Sequence, residues 1–172
     1  MEEQERELKA FILEEQEKFY RIAYSYVKTR EAALDVVQDT ILTSYEKLYT
    51  LRKPEFMKTW FYRILINNAI TYIRKNKRFV SLAYYQDRGE SQGDKIDEAL
   101  DLYQAVTSLK PKWRTVVLLR YFEDMKISDI AEVLQCPEST VKSRLKKALE
   151  ELRKEIGDDI YEGKVTLSSK SI

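Results

Sequence analysis

Histidine is absent from this sequence of 172 residues, and cysteine occurs once, as Cys136. A structural zinc site needs several His or Cys ligands, so a zinc finger is excluded. Without His, acid–base chemistry near neutral pH requires a Glu or Lys with a strongly shifted pKa. The sequence also lacks a glycine-rich phosphate loop, a nucleophile elbow and an ordered carboxylate pair. We therefore expect no enzyme activity, no cofactor, no metal and no small-molecule substrate.

A single cysteine also excludes a disulfide within the chain and fits a reducing compartment. No apolar run approaches the roughly 20 residues that a membrane-spanning helix needs. The first residues, MEEQERELKAF, are acidic where a secretory signal peptide is basic. These features predict a cytoplasmic protein.

Glycine and proline are scarce, with four and three residues, whereas charged residues make up 34% of the chain. Long helical patterns dominate, which predicts an all-α fold of two small domains. The formal net charge is only +1, but the charges are segregated. Residues 1–48 hold eleven acidic and seven basic side chains, and residues 52–79 hold eight basic and one acidic. A phosphate backbone responds to such a local field rather than to the total charge.

Three amphipathic helices are predicted in the first domain. The first spans residues 5–27, and Thr29 is a candidate N-cap for the second. The second is expected to bury an apolar face that consists of Ala33, Val36, Val37, Ile41, Leu42, Tyr45 and Leu48. The third follows Pro54 and runs from Glu55 to about Lys77.

The helical pattern stops between Val80 and Lys95, where Gly89 and Gly93 occur, and this predicts a flexible linker. Two further helices, at 96–109 and 112–122, precede the last pair. The predicted boundaries are 1–79 for the first domain, 80–95 for the linker, 96–158 for the second domain and 159–172 for a tail.

The stretch from Lys126 to Ile156 has the layout of a helix-turn-helix. Ser128 is expected to cap a first helix that ends at Leu134, and Pro137 suits the entry to a second one. The second helix has an apolar stripe of Val141, Leu145, Ala148, Leu149, Leu152 and Ile156. Its other side supplies the candidate contacts to duplex DNA: Ser139, Thr140, Lys142, Ser143, Arg144, Lys146 and Lys147.

An ordinary solvated helix face is the alternative explanation of those lysines. Against it, no acidic residue occurs between Thr140 and Ala148, and the small polar residues leave room for phosphates or base edges. DNA binding is therefore the favoured interpretation of this helix.

The third helix carries a second candidate surface, for single-stranded nucleic acid. Basic groups, amides and an aromatic ring share one face, and they suit phosphates, base edges and base stacking respectively. The candidates are Trp60, Arg63, Asn67, Asn68, Thr71, Arg74, Lys75, Lys77 and Arg78. Two alternatives stay open: a plain polar helix face, or a helix that breaks at Asn67–Asn68.

The segment ISDIAEVLQCPES followed by TVKSRLKKALEELR resembles the promoter-recognition domain of bacterial sigma factors of the extracytoplasmic-function (ECF) group. LKPKWRTVVLLRYFEDM resembles the family segment before it, and FMKTWFYRILINNAITYIR resembles the stretch that melts and reads the −10 promoter element. The chain departs from the family pattern at Gln135, where Gly is frequent, and at Thr71, where many members have Asp or Asn.

ALDVVQDTILTSYEKL resembles the segment that grips the clamp helices of the polymerase largest subunit. On this resemblance Asp35, Gln38, Asp39 and Thr43 are the polymerase-binding candidates, and the second domain is expected to bind the −35 element. The resemblance further implies a response to envelope or extracellular stress and control by an anti-sigma factor, often a membrane-anchored one.

Two other functions are compatible with parts of this pattern. A helix-turn-helix regulator that is not a polymerase subunit would act as a dimer, but the aromatic and basic third helix argues against it. An anti-sigma or adaptor protein would use the helices for protein contacts alone, and the basic last helix argues against that.

Overall fold

The computed structural model describes residues 2–77 and 98–156. Every regular element in these two segments is a helix, which confirms the predicted all-α fold. The chain divides into two compact units, residues 1–93 and 94–172. The predicted linker at 80–95 and the predicted tail at 159–172 lie outside the described residues. Within the described part, no helix is long and apolar enough to cross a membrane.

The first unit contains three α-helices: α1 (Glu2–Val27), α2 (Arg30–Glu46) and α3 (Met57–Lys75). Two 3₁₀ turns, Leu48–Thr50 and Pro54–Phe56, connect α2 to α3. The second unit contains α4 (Glu98–Ser108), α5 (Pro111–Val117), a π-helical turn (Leu118–Phe122), α6 (Ile127–Leu134) and α7 (Glu138–Ile156).

Aromatic rings form the centre of the first unit. Phe19 of α1 stacks on Phe61 of α3 with ring centroids 4.4 Å apart, and Phe11 meets the edge of Phe61 at 5.5 Å. Tyr62 lies edge-on to Phe19 at 5.5 Å. Because Phe19, Phe61 and Tyr62 are fully buried, these contacts hold α1 and α3 together without solvent between them.

The turn between α1 and α2 is closed by backbone and side-chain hydrogen bonds. Lys28 adopts a left-handed conformation (φ 64°), and its N–H donates to the carbonyl of Tyr24 at 2.9 Å. Thr29 has extended backbone angles, and its hydroxyl oxygen accepts from the N–H of Ala32 at 3.3 Å. The predicted N-cap is thus confirmed.

The predicted apolar face of α2 is partly wrong. Leu42 is 63% exposed and Tyr45 is 42% exposed, although both were expected in the core. Ala33 and Val36 are buried as predicted, and the rest of the buried side of α2 consists of the short side chains of Ala32, Thr40 and Ser44. Because these side chains are short and the hydroxyls of Thr40 and Ser44 bond to their own helix, the neighbouring helices pack on this side.

Helix α7 supplies the core of the second unit as its sequence predicts. Val141, Leu145, Ala148 and Leu152 are buried, with exposures of 5% or less, and α7 packs against α5 and α6. Leu149 lies at the margin of the stripe and is half-buried.

The expected capping of α6 by Ser128 is wrong. The helix begins two residues earlier than that cap implies, at Ile127, and its N-cap is Lys126, whose side chain makes no capping hydrogen bond. Ser128 therefore lies inside the first turn, where it is exposed. At the other end Gln135 has φ 51°, and the N–H of Cys136 donates to the carbonyl of Ala131 at 3.0 Å. Gln135 thus takes the left-handed conformation at the position where the family often has Gly, at a cost on the order of 1 kcal/mol.

The sequence pattern predicts one helix at 112–122, but the structure has a π-helical turn in its second half. The N–H of Glu123 donates to the carbonyl of Leu118 at 3.1 Å, five residues back, in place of the α-helical partner. Met125 N–H then donates to Leu119 at 3.0 Å, and Arg120 donates to the carbonyl of Met125 at 2.9 Å. These bonds direct the chain from α5 into α6.

The N-cap of α2 gives a test of this local structure. Thr29→Ala removes the acceptor for the Ala32 N–H, so we expect the free energy of unfolding of the first unit to fall by about 1 kcal/mol. Thr29→Ser keeps the hydroxyl and should retain most of that stability. Urea denaturation followed by circular dichroism measures the difference, and equal losses in both variants would contradict the capping role.

Candidate nucleic-acid interface

The polar side of α7 is presented to solvent because its apolar stripe is buried against α5 and α6. Among the candidate residues on this side, Thr140 and Arg144 are half-buried and the others are exposed: Ser139, Lys142, Ser143, Lys146 and Lys147. The structure therefore brings all seven candidates for duplex DNA onto one helix, with cations and hydroxyls on its outer surface. Such a surface suits phosphates and base edges.

Glu150 partly neutralises the positive charge at the C-terminal end of the basic run on α7. Lys147 Nζ lies 3.1 Å from a carboxylate oxygen of Glu150. The hydrogen bond from Lys147 lowers the pKa of Glu150 below its ordinary value. Lys142, one turn and a half earlier, forms no ion pair with any residue in the described segments. The N-terminal half of α7 is thus the more available for an anion.

Next to α7, the start of α5 brings three residues that the sequence patterns did not single out. Lys112 and Trp113 line an open pocket with five of the α7 candidates: Ser139, Thr140, Ser143, Arg144 and Lys147. The ammonium of Lys110 lies 5.1 Å from the centre of the Trp113 ring, and that of Lys112 lies 5.5 Å from it. The run Lys-Pro-Lys-Trp is the sequence signal for this cluster, but only the fold places it beside α7.

Helix α3 is continuous through Asn67 and Asn68, so the alternative of a break at that point is wrong. Its inner side is fully buried at Phe61, Leu65 and Ala69. The outer candidates divide by exposure. Asn67, Arg74, Lys75 and Lys77 are exposed, whereas Trp60, Arg63, Asn68 and Thr71 are half-buried. Arg78 lies outside the described residues.

Two of the half-buried candidates on α3 are tied to the rest of the unit. The indole N–H of Trp60 donates to the hydroxyl of Thr50 at 3.0 Å, which holds the ring against the 3₁₀ turn. The amide nitrogen of Asn68 donates to the hydroxyl of Thr40 on α2 at 3.3 Å. Asn67 is exposed instead. Asn68 therefore joins α3 to α2, whereas the amide of Asn67 is accessible to a ligand.

The polymerase-binding candidates lie along α2. Asp35, Gln38 and Asp39 are exposed and Thr43 is half-buried. Leu42 lies on the same exposed surface, so α2 offers carboxylates next to apolar area. Burial, together with the negative charge of Asp35, raises the pKa of Tyr72 on α3.

Within 2–77 and 98–156, no group of three His, Cys, Asp or Glu side chains is placed to hold a metal ion. The exposed surfaces of α2, α3 and α7 offer charged groups, amides and hydroxyls.

Both units of this chain are similar in sequence to known proteins. Residues 11–79 match the family model described as Sigma-70 region 2, and residues 99–152 match the one described as Sigma-70, region 4. The RNA polymerase sigma factor SigV of Bacillus subtilis is 38% identical over 143 residues, which cover 83% of this chain and 86% of SigV. The ECF RNA polymerase sigma factor SigW of the same organism is 28% identical, with 83% and 84% covered.

A solved structure shows the same fold. It is the sigma factor RpoE of Bartonella quintana in complex with the anti-sigma factor NepR. Its TM-score is 0.70 at 24% identity, and the match covers 88% of this chain and 97% of that one.

The two adjacent asparagines give a structural test. Asn68→Ala removes the hydrogen bond to Thr40, so we expect the first unit to lose about 1 kcal/mol of stability. Asn67→Ala removes an exposed amide and should change the stability by less than about 0.5 kcal/mol. Chemical denaturation of both variants beside the unaltered chain measures this. A larger loss for Asn67→Ala than for Asn68→Ala would contradict the assignment.

Proposed function

Because the chain belongs to the sigma-70 family of RNA polymerase sigma factors, in its ECF group, we propose that its two units divide promoter recognition between them. A sigma factor is a transcription initiation factor and not an enzyme: it directs core polymerase to promoters. The first unit binds polymerase through α2 and the melted −10 strand through α3. The second unit binds the −35 duplex through α7.

One observation carries the division of labour: each unit buries one side of a helix and exposes a basic, polar side on the same helix. On α3 the exposed set includes an amide, Asn67, and the half-buried Trp60 lies seven positions earlier on the same side of the helix, a combination that suits unpaired bases. On α7 the exposed set is lysines and hydroxyls without a large ring, which suits a duplex groove. Because each unit binds part of the promoter, neither needs high affinity alone.

The outer surface of α2 is proposed as the polymerase contact. Asp35, Gln38 and Asp39 supply acceptors, and the exposed Leu42 supplies apolar area that a protein partner can cover. A mixture of charge and apolar surface is typical of protein interfaces rather than of nucleic-acid sites.

An anti-sigma factor is the proposed regulator, as the complex of RpoE with NepR suggests by analogy. Apolar side chains that would favour such a partner are exposed in the first unit, among them Leu13 at 60% and Tyr49 at 78%. We place the chain in the cytoplasm, where core polymerase and promoter DNA are found. Envelope or extracellular stress is the proposed signal.

Run-off transcription tests the function as a whole. Core polymerase and a library of promoter fragments are incubated with and without the full chain, and the transcripts are mapped. We expect new start sites that appear only with both proteins. If the chain bound the same DNA as a dimer and produced no polymerase-dependent transcript, it would be a helix-turn-helix regulator instead.

Asp39→Arg tests the polymerase contact. Asp39 is exposed, so reversing its charge removes complementarity without opening a cavity, and we expect association with core polymerase to be abolished while the fold is kept. Co-purification with core polymerase measures it. The matched control is Glu17→Arg, the same reversal at an exposed position of α1, which should bind normally. Normal binding by Asp39→Arg would refute the assignment.

Asn67→Ala tests the reading of the −10 strand. An amide donates and accepts, so it can pair with a base edge that the duplex hides, and its loss should cost about 1–3 kcal/mol. Transcription is compared on a closed template and on one with a pre-melted −10 bubble. Pre-melting removes the cost of opening but not base reading, so the defect should persist on the bubble and depend on its sequence. Gln16→Ala removes an exposed amide on α1 and serves as the control.

Full activity of Asn67→Ala on both templates would show that Asn67 does not read a base. Loss of activity only in parallel with thermal unfolding would make it a structural residue.

A further inference from the structure

The start of α5 and one edge of α7 together enclose an open pocket in the second unit. Lys112 and Trp113 form its α5 side, and the residues that form its α7 side are Ser139, Thr140, Ser143, Arg144 and Lys147. These seven lining residues include three cations, three hydroxyls and an indole, and no carboxylate. The composition matches an anion that also presents a flat or apolar part.

The Trp113 ring, which lines this pocket, has two lysine ammonium groups near it. The ammonium groups of Lys110 and Lys112 lie 5.1 and 5.5 Å from the ring centre, within the range of a cation–π interaction. Both lysines are exposed, and Trp113 is half-buried. The ring therefore attracts both ammonium groups, and because the lysines are exposed these groups remain accessible to a ligand.

The pocket also divides the polar side of α7 into two edges. Thr140, Arg144 and Lys147 follow one another by four and three positions, so they lie on the edge that faces α5. Lys142 and Lys146 are not among the lining residues and lie farther round the helix. If α7 enters a DNA groove, the edge with Lys142 and Lys146 can face the bases, and the edge with Thr140, Arg144 and Lys147 can face the sugar–phosphate backbone beside the groove.

We propose that this pocket binds a backbone phosphate of the duplex, with its deoxyribose, beside the bases that α7 reads. Lys110, Lys112 and Trp113 thus extend the DNA contact from α7 to α5. The inference rests on the proposed function of the second unit and adds residues to it that the α7 pattern does not contain. Lysine is suited to this role because its ammonium acts on a phosphate as a point charge.

A phosphate fits better than a base edge or an acidic protein segment. Lysines on flexible stems give little of the fixed geometry that discriminates bases, whereas their charge is effective at any phosphate. An acidic segment would gain from apolar area beside the cations, and the described lining offers only the part-buried Trp113 ring.

The experiment uses the full chain assembled with core polymerase and a promoter duplex selected by that holoenzyme from a random library. The binding constant of the closed complex is measured across a range of salt concentrations, for the promoter and for a scrambled duplex. The variants are Lys110→Ala/Lys112→Ala, Trp113→Phe and, as a matched control, Lys154→Ala. Lys154 is an exposed α7 lysine outside the pocket, and it pairs with Glu151 at 2.9 Å.

We expect the double variant to bind both duplexes about tenfold more weakly, and to lower the salt-dependence slope by about 1 to 2. Trp113→Phe keeps a ring but a poorer cation partner and no N–H, so its loss should be smaller. Lys154→Ala should match the unaltered chain. Circular dichroism of each variant confirms that the second unit is folded.

An unchanged affinity and slope in the double variant would overturn the proposal. So would unchanged DNA binding together with weaker binding of poly-glutamate, because the pocket would then serve an acidic protein. A loss confined to one promoter sequence would also overturn it, because it would indicate base reading.

Failure of the proposed function gives a different result. In that case the unaltered holoenzyme does not distinguish the promoter from the scrambled duplex, and Lys142→Ala changes nothing. If Lys142→Ala abolishes discrimination at −35 while the double variant is unaffected, only the pocket proposal is lost.

Discussion

The stacking of Phe19 on Phe61 fixes how α3 is rotated about its own axis, and the function of the first unit depends on that rotation. The side chains of a 19-residue helix project in all directions around its axis. Burial of one side therefore decides which side chains are exposed to solvent. With Phe61 held in the core, Asn67 and Arg74 are directed outward on the same helix. The surface proposed for the −10 strand is thus a consequence of aromatic packing.

The same logic applies to α7, but with aliphatic side chains in place of rings. It explains how a chain with a formal net charge of +1 can bind a polyanion. Burial of the apolar stripe exposes Lys142, Lys146 and Lys147 together, so the local field is positive although the sum is nearly neutral. The acidic residues of α7 lie outside the run from Thr140 to Ala148, and exposed carboxylates lie on α2, where a protein partner is proposed. The uneven distribution of charge along the sequence thus gives a basic surface on α7 and an acidic one on α2.

Helical periodicity was sufficient to predict the fold class and the exposed side of α7, because each depends on residues within one helix. It failed where a residue's environment is set by another element. Leu42 is exposed because the neighbours of α2 pack on its short side chains, and Asn68 is partly enclosed because Thr40 meets it from α2. Trp113 joins the α7 surface only through the folding of α5 beside it. Contacts between different helices cannot be predicted from the spacing of residues within one helix.

All four glycines of the chain fall outside the described residues, so its described turns are built without any. Lys28, Asp124 and Gln135 take the left-handed conformation instead, at the ends of α1, the π turn and α6. Each costs on the order of 1 kcal/mol in the folded chain, but a glycine would cost a similar amount by enlarging the unfolded ensemble. The two effects nearly cancel, so mutational drift between glycine and a polar residue at these three positions is close to neutral for folding. Selection at these helix ends can then act on the side chain itself.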